Sequence, residues 1–333
     1  RTYEIWLVTP AFVAGADQQV PELRAPSIRG CLRWWFRLAR KGAGVSPQQV
    51  ADAEAEMFGS TDTGQRLILR TRELAEGRKE PLDYRALGFD HQYLWFPLRP
   101  AKGADRPIAR PEVPAGTVIK VDTILPPAVG NTEEVFRRLD EVVCHWVLFG
   151  GIGMRSRRCA GSLWFASQLP SGKPLPSGQN AIERVLEDAQ TSLRNVIAFK
   201  LSPKPFARWR DAVADAGNHY RGQRRKWRDG AGPARGRKAL PAFGWPIMNF
   251  GGGIEVDGLE AERLASPLLL KVVPDGNAFR WLLVVVKEPF VDAIVSSAGQ
   301  VRAAEVLRDF MDGFESASGP QPPGRGPSKP GRR

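Results

Sequence analysis

Residues 132–167 read TEEVFRRLDEVVCHWVLFGGIGMRSRRCAGSLWFAS, and this stretch decides the fold. Thr132-Glu133-Glu134 places acidic groups where a helix N-terminus favours them. Apolar residues then recur at helical spacing to Phe149. The glycine- and arginine-rich segment GGIGMRSRRCAG breaks the helix, and SLWFAS returns as a strand. Upstream, Tyr3–Thr9 (YEIWLVT) alternates as a strand stopped by Pro10. The loop AFVAGADQQVPELRAP leads to Ser27, read as the N-cap of a helix over IRGCLRWWFRLARK. Ser46-Pro47 opens a second helix that runs to Phe58 and stops at Gly59. Short strands are expected near Arg66–Arg72, Gln92–Leu98 and Val118–Leu125. Strand, helix, strands, helix, strand is the β-α-β-β-α-β order of a ferredoxin-like (RRM-like) unit, which makes the chain α+β.

Leu169–Gly178 (LPSGKPLPSG) is the candidate boundary after that unit. The second half offers a helix near Ala181–Arg194, a strand near Val196–Lys200 and the basic, poorly periodic block Phe206–Leu240. Its clearest feature is a hairpin, SPLLLKVV and AFRWLLVVVKEP around PDGN, followed by a helix near Gln300–Phe314. The Gly/Pro/Ser-rich residues 316–333 read as a disordered basic tail. At 333 residues the chain has room for two domains, and 42% hydrophobic content supplies a core.

Charge narrows the function. The chain carries 48 Lys+Arg against 36 Asp+Glu, a formal net charge of +12, which favours a polyanionic partner. The charge is also clustered. Leu23–Val50 contains no acid but holds Arg24, Arg29, Arg33, Arg37, Arg40 and Lys41, and Arg29, Arg33, Arg37 and Arg40 recur at three- and four-residue spacing on one helical stripe. Phe206–Leu240 holds ten Lys/Arg, Arg224, Arg225 and Lys226 among them, against three Asp. The loop adds Arg155, Arg157 and Arg158 beside Ser156, Gly151 and Gly153. Closely spaced glycines let backbone N–H groups approach a phosphate, and arginines fork around its oxygens. The competing reading is a glycine-rich turn with its arginines in solvent. The helix start at Ser27, flanked by Arg24 and Arg29, is a second anion site or else an ordinary capped helix.

Other chemistry is weakly supported. His91, His145 and His219 lack metal-ligand spacing, so no metal or cofactor is expected. His145 fits a helix core, and nothing orients His91 or His219 as a general base. Asp17, a lone carboxylate near basic sequence, reads as a loop-capping aspartate. Trp34, Trp35, Trp146 and Trp164 read as core, and Trp209, Trp227 and Trp245 as base-stacking candidates. Cys31, Cys144 and Cys159 show no disulfide pattern, and with no apolar run of membrane length and no leader-like opening a cytoplasmic location is expected.

The segments TPAFVAGAD, ELRAPSIRGCLRWWFR, AEMFGS and GGIGMRSRRCAGSL together resemble the RAMP superfamily of CRISPR effector proteins. Their order is most similar to the subunit type that stands first in Cmr (type III-B) complexes. The resemblance covers residues 1–166, with AFGWPI and RLASPLLLKV supporting it further on. It implies two ferredoxin-like RAMP domains with long insertions, 1–168 and 179–315, ahead of the tail 316–333. It also implies a non-catalytic RNA-binding role at the end of a ribonucleoprotein filament. The implied partners are the 3′ part of a guide (CRISPR) RNA, a target single-stranded RNA and other RAMP subunits, with no membrane. Ser27, Arg29, Arg33, Gly151, Gly153, Arg155, Arg157 and Arg158 fall at the positions that meet RNA, and Asp17 lies where related subunits carry a cutting aspartate. A metal-independent endoribonuclease that processes repeat RNA and an RNA-independent scaffold are the rival expectations. One departure stands out. Similar loops read Arg-Arg-Gly-aromatic-Gly, but here the chain has Arg158-Cys159-Ala160-Gly161, and a Cβ at Cys159 disfavours positive φ.

Overall fold

The computed structural model describes residues 1–62, 64, 67–75, 77, 82–103, 108–126, 132–178, 180–230, 235–244, 253–256, 258–287, 293–296 and 299–315. Strand β1 (Thr2–Leu7) buries Tyr3, Ile5 and Leu7 and turns Thr2 and Glu4 outward, the two-residue period of a strand with one face on a core. It pairs antiparallel with β3 (Val118–Ile124) on one side and β4 (Leu163–Phe165) on the other. With β2 (Ile68–Ala75) beyond β3, the sheet order is β2-β3-β1-β4. Helix α1 (Ala25–Gly42) occupies the first crossover and α4 (Thr132–Phe149) the second, the arrangement expected for the β-α-β-β-α-β unit. Their apolar faces, Ile28, Leu32, Trp35 and Phe36 on α1 and Val142, Val143 and Trp146 on α4, form the core over that sheet. Helix α2 (Pro47–Phe58) begins with a complete capping box between Ser46 and Gln49.

Three local readings are corrected. Helix α1 starts at Ala25, with Arg24 at the N-cap position and no side-chain cap; Ser27 lies inside the first turn. Pro26 explains the shift, because a residue without an N–H fits the first turn of a helix. Gln92–Leu98 is not a strand: helix α3 (Phe89–Trp95) continues into a short 3-10 turn at Phe96–Leu98. His91, Leu94, Trp95 and Leu98 point inward at helical spacing, and that burial overrides the strand preference of aromatic residues.

Phe206–Leu240 is also more regular than its sequence suggests. It holds helix α6 (Trp209–Asp229) and a 3-10 segment at Arg237–Phe243. Helix α5 (Ala181–Gln190) and strand β5 (Ile197–Leu201) precede it. The hairpin is formed by β8 (Leu268–Asp275) and β9 (Ala278–Val286), paired from Leu268–Val285 to Asp275–Ala278. Gly276 turns between them at φ 59°. Together they form a three-stranded sheet, β5-β9-β8. A small antiparallel sheet adds β6 (Ile254–Val256), β7 (Leu259–Ala261), β10 (Ala293–Ser296) and β11 (Gly299–Arg302) in the order β11-β10-β6-β7, and α7 (Ala303–Glu315) follows. The tail 316–333 and Trp245 lie outside the described residues.

The two halves share one core. Strand β8 runs beside the glycine-rich loop: the Cys159 N–H donates to the Leu270 carbonyl at 2.7 Å, and the Leu270 N–H donates to the Arg157 carbonyl at 3.2 Å. Lys271 is fully buried, and its Nζ donates to the carbonyls of Val147 (2.6 Å) and Leu163 (3.0 Å). The first carbonyl belongs to the last turn of α4, where the helix leaves acceptors unpaired. The second belongs to β4, at the edge of the first sheet.

Candidate nucleic-acid interface

The loop after α4 is shaped by four left-handed residues: Gly153 (φ 83°), Arg155 (63°), Cys159 (68°) and Gly161 (55°). A Cβ on Gly161 would fall 1.9 Å from the Ile152 carbonyl oxygen, so only glycine fits there. The expectation that Cys159 would avoid positive φ is overturned. Strain of about 1–3 kcal/mol is held in place because the Cys159 side chain is buried, its N–H reaches Leu270, and its carbonyl accepts from Thr9 Oγ1 (2.6 Å) and Ser162 Oγ (3.1 Å).

The three loop arginines turn towards protein. Arg158 is 7% exposed; its guanidinium donates to the carbonyls of Arg157 (2.6 Å) and Leu268 (2.7 Å), to Tyr220 Oη (2.8 Å) and to Ser266 Oγ (2.9 Å). It also lies 4.6 Å from the centre of the Tyr220 ring. Arg157 donates to the Ser266 carbonyl and stacks over Trp34 at 5.3 Å. Arg155 donates to the Leu94 carbonyl at 2.7 Å and lies 5.4 Å over Phe96. Burial, and then the neighbouring Arg158, push Arg155 down to about 10. Ser156 and Gly151 are half-buried and Gly153 is exposed.

The α1 stripe divides in two. Arg33 and Arg37 both clamp Glu54 of α2, whose side chain is 8% exposed. A buried carboxylate needs such partners, so these two cations have a structural role. Towards the helix start, Arg24 and Ser27 are exposed, with Glu22 3.8 Å from Arg24, and Arg29 is half-buried. Burial and the adjacent Arg33 lower Arg29 from its ordinary value. Helix α6 lies against α3: Arg221 pairs with Asp90 at 2.8 Å, Arg224 donates to Tyr93 Oη at 3.4 Å, and Arg225 and Lys226 are exposed. The loop touches both neighbourhoods, reaching α1 through Arg157 and Trp34 and α3 through Arg155 and the Leu94 carbonyl.

Asp17 is exposed and accepts from the Gln19 N–H at 2.7 Å, the geometry of a loop-capping aspartate. His145 is buried beside Ser192 Oγ (3.0 Å), and His91 is buried between the rings of Trp95 and Trp209. Burial pushes both down to about 4, so both are neutral at physiological pH. His219 lies 3.8 Å from Asp215. Among the described residues no three His, Cys, Asp or Glu side chains cluster as metal ligands would. Burial raises the thiols of Cys31 to about 11 and Cys144 to about 12, which keeps them protonated.

The stacking candidates change. Trp227 is buried against Phe243, and Trp209 packs on Trp95. Among the described residues the exposed rings are Phe89 (63%) and Phe96 (53%), which the sequence reading passed over. Helical rather than strand spacing over 89–98 would have placed them on one outward face.

A family model of the RAMP superfamily matches residues 4–164. The CRISPR system Cmr subunit Cmr1-2 of Pyrococcus furiosus is 27% identical over 179 residues, covering 48% of this chain and 92% of that protein. Cmr subunit Cmr1-1 of the same organism is 29% identical over 148 residues, 44% of this chain and 41% of that protein. The crystal structure of apo Cmr1 from Pyrococcus furiosus aligns over 95% of both chains with a TM-score of 0.60 at 21% identity. A chain of the type III-B Cmr-beta cryo-EM structure bound to cognate target RNA and AMPPnP in the presence of ssDNA aligns over 95% of this chain and 98% of that one, with a TM-score of 0.59 at 13% identity. At such identities the likeness is one of fold. Among the described residues no helix is long and apolar enough to cross a membrane.

Proposed function

The N-terminal half of the chain, residues 4–164, is of the RAMP superfamily, and from that premise we propose that the protein is an RNA-binding subunit of a type III-B CRISPR ribonucleoprotein. In this reading it sits at the end of the filament, holds the 3′ part of the guide RNA, and helps capture the complementary target RNA beside other RAMP subunits. It does so without cutting either strand. The observation that carries the reading is the match to Cmr subunit Cmr1-2, which spans 92% of that relative and so is more than a shared fragment. Two ferredoxin-like units, 1–168 and 179–315, fit the same reading. Strands β5, β9 and β8 repeat three places of the β2-β3-β1-β4 order, with α6 in the crossover.

Base pairing with the guide supplies the sequence specificity, and the protein has only to grip backbone and shape. The groups available are the exposed Arg24, the α1 start at Ser27 and Arg29, the glycine loop at Gly151 and Gly153, and Arg225 and Lys226 on α6. Arg33, Arg155, Arg157 and Arg158 hold these elements in place. The test is to purify the tagged full chain from its native cells and sequence the RNA that accompanies it. Repeat-derived RNAs of discrete length, with other RAMP-like subunits alongside, are expected. RNA without a repeat signature would overturn the CRISPR assignment, and discrete cleavage of repeat RNA in chelator by the pure chain would overturn the non-catalytic role.

A further inference from the structure

We propose that Phe89 and Tyr93 on α3 and Phe96 at the start of the 3-10 turn that continues it, bordered by the cations of α6, form a stacking platform for about three consecutive bases of single-stranded RNA; this rests on the RNA-binding reading above.

The case begins with an anomaly of exposure. Helix α3 and the 3-10 turn that continues it have a well-buried side, His91, Leu94, Trp95 and Leu98, and so have no need of further apolar residues. Yet its opposite side carries two phenylalanines that are more than half exposed. At 1.5 Å of rise per residue, Phe89 and Phe96 lie roughly 10 Å apart with Tyr93 between them, all within one sector of the helix. Scattered exposed apolar residues are ordinary, but an aligned set bounded by charge marks a contact surface.

The boundary fixes the chemistry of the partner. Arg221 lies 4.9 Å over Phe89, and Arg155 lies 5.4 Å over Phe96. Arg224 reaches Tyr93 Oη at 3.4 Å, and Arg225 and Lys226 stand exposed on the next turn of α6. Arg221, paired with Asp90, and Arg155, held by the Leu94 carbonyl, back the two rings, while the exposed Arg225 and Lys226 are left for phosphate, so rings bordered by cations match the bases and phosphates of a single strand. An acidic protein face would satisfy the cations but would set carboxylates against the phenylalanine rings. A purely apolar partner would have to bury the cations. The surface also draws on both halves of the chain, α3 from one and α6 from the other. Gly217 permits their contact, because a Cβ there would lie 2.4 Å from the Asp90 carbonyl oxygen.

The experiment compares the unaltered full chain with Phe89→Ala/Phe96→Ala and Phe89→Leu/Phe96→Leu. Binding to a fluorescein-labelled oligouridine and to a base-free phosphodiester strand of equal length is followed by anisotropy across a salt series. Both positions are exposed, so folding is checked by the unfolding midpoint and should be unchanged. The expectation is at least a tenfold loss of oligouridine affinity in both variants, with the same salt slope, because stacking is removed and phosphate contacts are kept. The base-free strand should bind all three proteins alike. Equal oligouridine affinity across the three proteins overturns the platform and leaves the RNA-binding reading intact. An equal loss on the base-free strand also overturns the platform. Failure of the unaltered chain to bind any RNA overturns both. Loss of a co-purifying protein subunit with RNA affinity intact would reassign the surface to a protein and overturn the proposal.

Discussion

Replacing Arg158 with Met separates a structural arginine from an RNA ligand. The change keeps the aliphatic stem and removes a guanidinium that makes four hydrogen bonds and stacks on Tyr220. Hydrogen bonds to a charged group contribute about 1.5–3 kcal/mol each, but the full sum is not lost here. The Arg157 carbonyl keeps the Leu270 N–H at 3.2 Å, the Leu268 carbonyl keeps Ser266 Oγ at 3.4 Å, and the hydroxyls of Tyr220 and Ser266 can rotate. Relief of the buried charge offsets a further part. A net loss of about 2–4 kcal/mol is expected, read as a lower urea midpoint with an unchanged slope. The matched control Arg24→Met, at an exposed position, should stay within about 0.5 kcal/mol of the parent. RNA affinity, measured where the protein is fully folded, should change less than twofold for Arg158→Met and fall for Arg24→Met. A variant as stable as the parent that had lost tenfold in RNA affinity would refute this reasoning, since Arg158 would then have to leave Leu268 and Tyr220 to hold a phosphate.

Three further outcomes follow from buried groups. His91 and His145 are lowered to about 4, so the unfolded chain binds protons that the folded chain refuses, and stability should fall as pH drops from about 6.5 towards 4, by up to about 3 kcal/mol for each histidine. Urea midpoints across that range check this, and His145→Gln should remove one proton from the slope. Burial also holds Lys271 well below its ordinary value, so stability gained on raising pH towards about 10.5 should be present in the parent and absent in Lys271→Met, as paired unfolding curves at pH 8 and 10 would show. Finally, Gly217→Ala should lose about 1–3 kcal/mol because its Cβ meets the Asp90 backbone. Gly222→Ala on the same helix meets nothing within 4 Å and should gain up to about 1 kcal/mol.

Where periodicity was clean, the sequence reading and the structure agree. The helix at Thr132–Phe149 and the hairpin at Leu268–Val286 are both found where their patterns place them. The reading failed where local signals compete with packing. Aromatic-rich Gln92–Leu98 carries strand preference, but Leu94, Trp95 and Leu98 gain more by packing inward as a helix. In α6 four of the seven buried positions are small or polar (Ala212, Ala216, Gly217, Gln223) and only Val213, Tyr220 and Trp227 are large and apolar or aromatic, so the amphipathic period is diluted in a scan for large apolar residues. The loop arginines were legible as a cluster, but their direction was not. Which carbonyls face Arg157 and Arg158 depends on Ser266 and Leu268, more than 100 positions away in the chain.

That separation sets an order of events during synthesis. A chain emerging N-terminus first can assemble α1, α4 and the sheet order β2-β3-β1-β4 while β8 is still being translated. Until β8 arrives, Cys159 has no Leu270 carbonyl to hold its left-handed backbone, and Arg158 has no Leu268 or Ser266 to receive it. The glycine loop therefore takes its final shape late, after loop closure over more than 100 residues. A nascent chain stalled before residue 266 would leave Arg157 and Arg158 without their partners at Ser266 and Leu268, while Arg155 could already reach the Leu94 carbonyl. Completion of β8 supplies those partners, so the shape of the glycine loop depends on a strand that lies more than 100 residues further along the chain.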